Sequence, residues 1–424
     1  MRLFDTYTRS LVGLPPPPGP VRMYFCGPTV YARAHVGNAR PFVLGMWLRA
    51  WLRQSGYEVT LVHNITDVND KLYAAAPGAS EELARRATAW YLEDTADLGL
   101  GVPDLLPKVT EFVPEVVAFI ERLVARGFAY PVGGDVYFRV SRSPEYGRLS
   151  RQRADQIVDG EPNSLKEDAR DFALWKATKD GEDTSWPSPW GEGRPGWHIE
   201  CSVMAEQTLG TSFEIHGGGI DLVFPHHENE LAQSRALGHP FARIWAHNGL
   251  LELTREKMSK SAGNIATLRE VIDGWGREPL LMFFLGGHWR KPIDFSEETM
   301  AQAAAQVEGL REVFRRPSRR APHGAWEQFS RALEDDFNTP GALAVLHGWD
   351  DHELLGRALS LFGLATLAER EEAPPAIAEN AARRQEARAA RDFESADRLR
   401  AELEAAGWEM RDDAGAGYSL FRRR

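Results

Sequence analysis

The sequence predicts an α/β protein with a doubly wound parallel sheet. The apolar segment VRMYFCG is followed by a loop, by a stretch with helical spacing of apolar residues, and by a second apolar segment, YEVTLVHNI. Strand, loop, helix and parallel strand form the half-unit of such a sheet. The segments SFEIHGGGIDLVF and ARIWAHNGLLEL, with the helix-like PHHENELAQSRALG between them, return to this alternation in the middle of the chain.

The first predicted helix lies between the two leading strands. Pro41 suits its first turn, where the missing N–H of a proline costs nothing, and Gly56 follows its end. The apolar residues that recur at helical spacing are Val43, Leu44, Trp47, Leu48, Trp51 and Leu52.

The rest of the chain changes character along its length. Residues 83–126 look helical, and the charged stretch from GGDVYFRV to about residue 190 is interpreted as an inserted subdomain. From about Phe295 the pattern is mostly helical, with a linker at LAEREEAPP. One last long helix, AIAENAARRQEARAARDFESADRLRAELEAAG, is predicted before a short tail.

Composition limits the classes of function. The 424 residues exceed one ordinary domain, and 43% hydrophobic with 26% charged residues is a normal globular balance. No run of eighteen apolar residues occurs and the first residues lack an apolar signal core, so we expect a cytoplasmic protein. The net charge of −11 would repel nucleic acid at long range, so an RNA partner requires a local basic surface. The two cysteines, Cys26 and Cys201, exclude a disulfide framework.

Two loops have the features of phosphate-binding segments. The string HVGN, from His35 to Asn38, lies between a predicted strand and a helix start, where backbone N–H groups and the helix dipole attract phosphate. Gly37 permits close approach of a ligand, although an ordinary polar turn explains four residues as well. The string KMSKS carries Lys257 and Lys260, which could neutralise charge on a leaving pyrophosphate; alternatively it is a solvated basic loop.

A metal site is a further hypothesis. Two thiolates, an imidazole and a carboxylate are credible zinc ligands, and in FPHHENE a histidine and a glutamate four residues apart would share a helix face. His227 and Glu228 could serve as metal ligands as readily as His226 and Glu230. Alternatively, the two cysteines are buried, inert thiols that bind no metal. The first candidate set is Cys26, Cys201, His226 and Glu230.

Several strings together resemble the cysteinyl-tRNA synthetase family of class I aminoacyl-tRNA synthetases. They run in order through about the first 300 residues: FCGPTVY, HVGNARPF, NITDVNDK, SWPSPWGEGRPGWHIECS, EIHGGGIDLVFPHHENELAQS and REKMSKSAGN. The resemblance implies a Rossmann-like catalytic domain over residues 1–294, with an insertion at about 108–190 for the acceptor end of tRNA. It also implies a shortened helical bundle at 295–370 and an anticodon-binding region at 371–424.

The resemblance also implies roles for individual residues. It chooses the zinc ligands Cys26, Cys201, His226 and Glu230, with the substrate thiolate adding to the metal. It assigns the cysteine pocket to Gly27, Thr66, Trp197 and His216. It assigns ATP binding to His35, Gly37, Asn38, Asp221 and Lys260, and stabilisation of the reacting phosphates to His35, Asn38, Lys257 and Lys260.

The implied reaction activates L-cysteine with ATP and then transfers it to tRNA(Cys). The cysteine carboxylate attacks the α-phosphorus, and a terminal ribose hydroxyl of tRNA then attacks the activated carbonyl. An apolar pocket separates amino acids differing by one atom by only about 1–3 kcal/mol, whereas zinc strongly favours a thiolate. One Zn²⁺ per chain, Mg²⁺ with ATP, and a monomer are expected.

The sequence departs from the family pattern in two places, and two alternative functions remain open. Asn69 stands where the family usually has Asp, and the C-terminal half is abbreviated. A cysteine:amino-sugar ligase of the mycothiol type is one alternative, but that family lacks the C-terminal segment and tends to depart from the HGGG histidine. The shortened C-terminal half suggests the other, a non-catalytic RNA-binding paralogue. The arginines of the last predicted helix alternate with acidic residues, which also suits a solvated helix held by ion pairs: Arg383, Arg384, Arg388, Arg391, Arg398 and Arg400.

Overall fold

The structure is a computed structural model that describes residues 1–152, 164–253, 256–257, 266–369, 372–412 and 417–422. Its strands are β1 (Arg2–Asp5), β2 (Ser10–Gly13), β3 (Pro20–Phe25), β4 (Glu58–His63), β5 (Ala129–Val132), β6 (Asp135–Phe138), β7 (Phe172–Ala177), β8 (Gly193–Pro195), β9 (Ser212–Gly219), β10 (Phe241–Asn248), β11 (Leu251–Leu253), β12 (Glu256–Lys257), β13 (Ile293–Asp294), β14 (Trp408–Asp412) and β15 (Tyr418–Arg422).

The helices follow the same chain order. They are α1 (Val36–Gln54), α2 (Asp70–Ala75), α3 (Ser80–Ala96), α4 (Val113–Ala125), α5 (Trp197–Leu209), α6 (Glu228–Ala236), α7 (Leu268–Trp275), α8 (Arg277–Gly286), α9 (Glu297–Phe314), α10 (Ala325–Glu334), α11 (Thr339–Leu346), α12 (His352–Ser360), α13 (Pro375–Ala389) and α14 (Phe393–Ala405). Among the residues that the structure describes, no helix is both long and apolar enough to cross a membrane.

The central sheet confirms the predicted fold class. Its strands lie in the order β10–β9–β3–β4, and each neighbouring pair is parallel. The chain leaves β3 through α1 to reach β4 on one side, whereas β9 lies on the other side of β3. The strand order therefore reverses between β3 and β9, and ligands of open α/β sheets bind beyond the carboxyl ends at such a point.

The alternation of side chains along β3 decides which residues face which helix. Met23 and Phe25 pack in the same apolar cluster as α1, while Tyr24 and Cys26 pack in a second cluster with residues of α5. Successive side chains of a strand point to opposite faces. Cys26 is therefore on the side of the sheet that α5 covers.

The start of α1 differs from the prediction. The helix begins at Val36, so Pro41 is its sixth residue and lies inside the helix rather than in the first turn. The prediction was wrong because the HVGN string is itself helical from Val36 onward. A proline at this position has no N–H to donate to the carbonyl four residues earlier, that of Gly37.

A separate antiparallel sheet lies across most of the predicted insertion. Its order is β5–β6–β7–β8, with every neighbouring pair antiparallel. The helix α4 precedes it and packs in the same apolar cluster as β6 and β7. The domain boundaries at 108–190, 295–370 and 371–424 stay predictions.

The C-terminal region contains a second correction. The single last helix is wrong: two helices, α13 and α14, meet at Arg391, whose φ of 63° breaks the helical path. Asp392 then caps α14, because its carboxylate accepts a hydrogen bond from the N–H of Ser395 at 3.1 Å. The predicted short tail forms the hairpin β14–β15.

Ion pairs account for part of the arginine-rich segment. Arg384 and Arg388 both contact the carboxylate of Asp412, and Arg400 contacts Glu404 at 3.0 Å. These contacts agree with the interpretation of a helix held by ion pairs.

Candidate active site

A cavity of about 340 Å³ opens at the carboxyl ends of β3 and β9, beside the start of α1. It lies at the point where the strand order of the sheet reverses, as expected for this fold. Ten of the predicted site residues contribute to its wall: Cys26, Gly27, His35, Gly37, Asn38, Thr66, Trp197, Cys201, Asp221 and His226.

The other four predicted residues do not line this cavity. Glu230 and His216 are fully buried behind the wall, where His216 Nε2 lies 2.8 Å from Glu230 Oε2. The backbone of Lys257 belongs to β12, which pairs with β11, but nothing is described of its side chain. Lys260, with most of the KMSKS string, lies outside the described residues.

Backbone contacts explain the glycine after Cys26. The N–H of Cys26 donates to the carbonyl of Gly217 at 3.1 Å, and the N–H of Gly27 donates to Asn64 Oδ1 at 2.9 Å. A Cβ atom on Gly27 would lie 1.7 Å from the backbone oxygen of Asn64. Only glycine permits the end of β3 to approach the end of β4 so closely.

The four predicted metal ligands converge although they are far apart in sequence. Cys26 Sγ lies 3.8 Å from Cys201 Sγ and 3.9 Å from Glu230 Oε1. His226 Nε2 lies 3.1 Å from the same oxygen of Glu230. Ligand atoms of this set all lie within 4.8 Å of one another, so one cation could contact all four.

A second set of four shares two members with the first. His216 and His227 also form such a group with Cys26 and Glu230, and His227 Nε2 lies 3.3 Å from Cys26 Sγ. Glu228, by contrast, is used elsewhere, because its carboxylate accepts hydrogen bonds from the N–H groups of Gly147 and Ser150.

Burial sets the protonation of the cluster. Burial raises the pKa of the Cys26 thiol well above its usual value and raises the pKa of Glu230. For Cys201 the hydrogen bond with Cys26 lowers the pKa, but burial and neighbouring negative charge outweigh it and the pKa is raised. Burial also lowers the pKa of His226 well below its usual value, which leaves the neutral imidazole that metals bind. Two cysteines, a neutral imidazole and a glutamate are ligand types of zinc, which would bind the cysteines as thiolates and release their protons.

Other buried polar residues surround this cluster, and the sequence analysis did not find them. His198 Nδ1 lies 3.0 Å from His226 Nδ1, and His247 Nε2 lies 2.7 Å from His227 Nδ1. Glu200 accepts a hydrogen bond from Thr66 Oγ1 at 3.1 Å, and burial raises its pKa well above the usual value. Their signal in the sequence was weak, since a histidine or glutamate within an apolar segment is not by itself a site.

The HVGN loop is tied to the segment that follows KMSKS. Asn38 Oδ1 accepts a hydrogen bond from the backbone N–H of His35 at 3.2 Å, which closes the first turn of α1. The N–H of Val36 donates to Ala266 at 3.0 Å, and the N–H of Leu268 donates to Ala34 at 2.9 Å. The HVGN loop is thus in contact with the described backbone at residues 266–268, which follows the KMSKS string in the chain.

Arg40 fastens another part of the cavity wall. Its buried guanidinium donates to the backbone carbonyls of Gly249, Leu250, His288 and Lys291. Burial lowers the pKa of Arg40 to about 10, so the side chain is charged at neutral pH. Gly249 and Leu250 line the cavity, and Arg40 therefore connects α1 to the part of the cavity wall that follows β10.

The departure at position 69 has a local explanation. Asn69 is the N-cap of α2, and its side-chain oxygen accepts a hydrogen bond from the N–H of Lys71 at 3.1 Å. Asparagine and aspartate cap helices about equally well, so the substitution preserves the capping interaction.

Comparison with known proteins gives a consistent result. The chain matches the family model of tRNA synthetases class I (C) catalytic domain over residues 15–305, and the DALR domain over residues 328–349. It is 41% identical to the cysteine–tRNA ligase of Pseudothermotoga lettingae, with all of both chains covered. It is 44% identical to the cysteine–tRNA ligase of Alkalilimnicola ehrlichii, with 96% of each chain covered.

Solved structures support the fold. Methionyl-tRNA synthetase of Mycobacterium tuberculosis in complex with methionyl-adenylate is similar with a TM-score of 0.59 at 15% identity; the match covers 82% of this chain and 88% of that one. A second structure of that synthetase, bound by methionyl-adenylate, gives a TM-score of 0.60 at 16% identity over 83% of this chain and 86% of that one.

Proposed function

Because this chain belongs to the cysteine–tRNA ligase family, we propose that its cavity binds L-cysteine beside ATP and that the buried cluster recognises the substrate sulfur. The family activity uses ATP to activate L-cysteine and then joins the amino acid to tRNA(Cys).

The two candidate sets of metal ligands differ in which of their members line the cavity. Cys201 and His226 line the cavity, whereas His216 and His227 do not. A catalytic metal keeps one coordination position open to substrate, and a structural metal does not. We therefore assign zinc to Cys26, Cys201, His226 and Glu230, and this observation carries the proposal.

The chain's own residues would orient this site. Zinc, when bound, would favour the thiolate of cysteine over the hydroxyl of serine. His216 holds one oxygen of Glu230, which leaves the other oxygen towards Cys26 and His226. A partner of this kind fixes the orientation of a metal ligand, so His216 acts on the pocket through Glu230 rather than by direct contact.

The wall around the cluster would hold the rest of the amino acid. Thr66 and Trp197 line the cavity beside Cys201, and Gly27 leaves room at the end of β3. Trp197 stacks on His226 with ring centroids 4.4 Å apart, so it packs against a proposed ligand while also facing the cavity.

The ATP half of the site would depend on position and charge. His35, Gly37 and Asn38 stand at the start of α1, where the helix dipole favours the phosphates of ATP, and Mg²⁺ would accompany those phosphates. Asp221 would contact the nucleoside, and Lys257 and Lys260 of KMSKS would neutralise the charge on the leaving pyrophosphate. These groups align the cysteine carboxylate with the α-phosphorus and stabilise the developing charge.

The larger assignments complete the proposal. We propose a catalytic domain over 1–294 with an insertion at about 108–190, a tRNA-contacting bundle over 295–370 and an anticodon-binding region over 371–424. A monomer in the cytoplasm is the proposed working form.

The proposal is tested by measuring activity and metal content on the same purified sample. We expect cysteine-dependent ATP–pyrophosphate exchange, charging of tRNA(Cys) and one zinc per chain. Cys201→Ser should raise the KM for cysteine by at least about tenfold and change the KM for ATP little. Ser202→Ala is the matched control, because Ser202 is equally buried on α5 but its hydroxyl contacts Gln233 at 2.6 Å. Full activity without zinc, or unchanged cysteine kinetics in Cys201→Ser, would overturn the metal assignment.

A further inference from the structure

Tyr24 is a buried residue of β3 that has no part in the proposed site so far. It lies two residues before Cys26, so both side chains point to the face of the sheet that α5 covers. Tyr24 is fully buried, and among the described residues its hydroxyl has no hydrogen-bond partner. A buried donor without a partner destabilises a folded protein, so a hydroxyl at this position indicates a use that the metal-free structure does not show.

The surroundings of Tyr24 place its hydroxyl beside the metal-ligand cluster. Its backbone carbonyl lies 3.2 Å from His216 Nδ1, and its ring packs edge-on against the His216 ring with centroids 5.3 Å apart. Burial raises the pKa of Tyr24 well above its usual value, and the nearby charges of Cys201, Cys26 and Glu230 raise it further. The hydroxyl therefore keeps its proton at neutral pH and remains a donor close to these three groups.

The two cysteines differ in the donors around their sulfur atoms. Cys26 Sγ lies 3.3 Å from His227 Nε2, which can donate to a thiolate when it carries the ring proton. Cys201 Sγ lies 3.8 Å from Cys26 Sγ and 3.8 Å from Asn64 Oδ1. Neither of these two atoms can donate once zinc is bound, because the Cys26 sulfur is then a thiolate and an amide oxygen only accepts. A thiolate at Cys201 would gain a donor from the Tyr24 hydroxyl, which has no other partner in the described part of the chain.

The charge of the zinc-bound cluster gives such a donor a function. Two thiolates and one carboxylate carry one more negative charge than zinc neutralises, and a substrate thiolate would add another. Excess charge is unfavourable in a buried site, and hydrogen bonds to the charged ligands stabilise it. Such partners also orient the ligands, and their loss typically weakens metal binding about 10–100-fold.

We propose that the hydroxyl of Tyr24 donates a hydrogen bond to the sulfur of Cys201 when the cluster holds zinc. The inference rests on the proposed function and adds a positioning residue to it, because Tyr24 acts on the pocket through Cys201 and not by contact with substrate. The hydroxyl is unpaired in the metal-free protein and paired in the zinc-loaded protein. Its removal should therefore affect the two forms differently.

The experiment compares zinc binding and stability in the full-length protein. Tyr24→Phe removes the hydroxyl and keeps the ring. Tyr57→Phe is the matched control, because Tyr57 is also buried but its hydroxyl donates to the carbonyl of Pro15 at 2.7 Å. Competition with a chromophoric chelator measures the dissociation constant for zinc, and urea denaturation measures the stability of the metal-free protein. The near-ultraviolet band of the Co²⁺-substituted protein arises from charge transfer from thiolate to metal, so it reports on the cysteine sulfurs directly.

We expect Tyr24→Phe to weaken zinc binding about tenfold and to leave the stability of the metal-free protein unchanged, because no hydrogen bond is lost in that form. Its cobalt band should move to longer wavelength, since a thiolate without the hydrogen bond gives up an electron more easily. Tyr57→Phe should lower stability but keep the wild-type dissociation constant and the wild-type band. A wild-type dissociation constant or a wild-type band in Tyr24→Phe would overturn the inference. Absence of zinc binding by the wild type would instead reject the metal assignment of the proposed function, and this inference with it.

Discussion

Replacing Arg40 with methionine is expected to loosen the wall of the ATP half of the cavity. The Arg40 side chain is almost fully buried and donates to four backbone carbonyls, with distances of 3.1 Å to Leu250, 3.2 Å to His288 and 2.7 Å to Lys291. Methionine retains much of the apolar volume but cannot donate. The carbonyls would then be buried without a partner.

The size of the effect follows from these contacts. A lost hydrogen bond to a charged group costs about 1.5–3 kcal/mol, and leaving buried carbonyls unpaired adds to the loss. Removing the guanidinium also removes the unfavourable burial of its charge, which offsets part of that loss. We expect a net decrease of about 3 kcal/mol in the free energy of unfolding.

Urea denaturation followed by tryptophan fluorescence measures this change, and ATP–pyrophosphate exchange measures the KM for ATP and for cysteine. Because Gly249 and Leu250 line the cavity, Arg40→Met should raise the KM for ATP more than that for cysteine. Arg49→Met is the control on the same helix, since Arg49 binds Val102 and Asp104 away from the cavity. Equal stability of the two variants, with an unchanged KM for ATP, would refute the reasoning.

Three further changes test other parts of the site and fold. Gly27→Ala should lower cysteine-dependent ATP–pyrophosphate exchange by about a hundredfold, because the new Cβ would lie 1.7 Å from the backbone oxygen of Asn64 and displace Cys26. Gly13→Ala is the control and should not change exchange, because the space around its Cβ is open. Glu230→Gln should lower zinc content measured by mass spectrometry, whereas Glu228→Gln should lower only stability. Asp351→Ala should lose about 1–2 kcal/mol of stability at neutral pH, because its carboxylate caps α12. Backbone hydrogen bonds lower the pKa of this carboxylate, so its stabilisation is present above the usual value of 3.8 and disappears as the pH falls below it.

Clear results would contradict each of these expectations. Wild-type exchange in Gly27→Ala would mean that the end of β3 can move without cost to the site. Zinc lost equally from the Glu228 and Glu230 variants would remove the distinction between an anchoring carboxylate and a ligand. A stability deficit of the Asp351 variant that is the same at pH 3 and pH 7 would show that its charge is not the stabilising feature.

Local patterns predicted the elements around the site, and long-range packing decided the rest. The apolar segment before Cys26 forms β3 as expected, because a buried strand has a signal within six residues. The turn at Arg391 was missed because the surrounding alanine and arginine residues favour helix, and the positive φ of one arginine leaves no mark in the sequence. Pro41 was misplaced for a related reason, since the pattern could not show that helical backbone begins as early as Val36.

In the site, too, local sequence patterns identified candidate residues, and long-range packing decided between them. Spacing alone favoured neither His226 nor His227, and both have a ring nitrogen near the buried cluster. The two histidines differ because His226 lines the cavity, whereas His227 contacts His247. His247 lies on β10, twenty residues further along the chain, so local spacing could not reveal this contact. Glu228 could not be separated from Glu230 by spacing either. It is separated by its hydrogen bonds to the segment at Gly147 and Ser150.

The wide spacing of the proposed metal ligands has a thermodynamic consequence. Cys26 lies 175 residues before Cys201 and 204 residues before Glu230, so only the assembled sheet with α5 and α6 brings them together. A pair of cysteines two residues apart can retain metal in an unfolded chain, but ligands this distant cannot. Zinc would then bind the native state alone, and it would stabilise that state by about 2.7 kcal/mol at a free concentration a hundred times its dissociation constant. The same coupling makes metal occupancy a measure of whether the catalytic core is folded, because any change that separates β3 from α5 also separates the ligands.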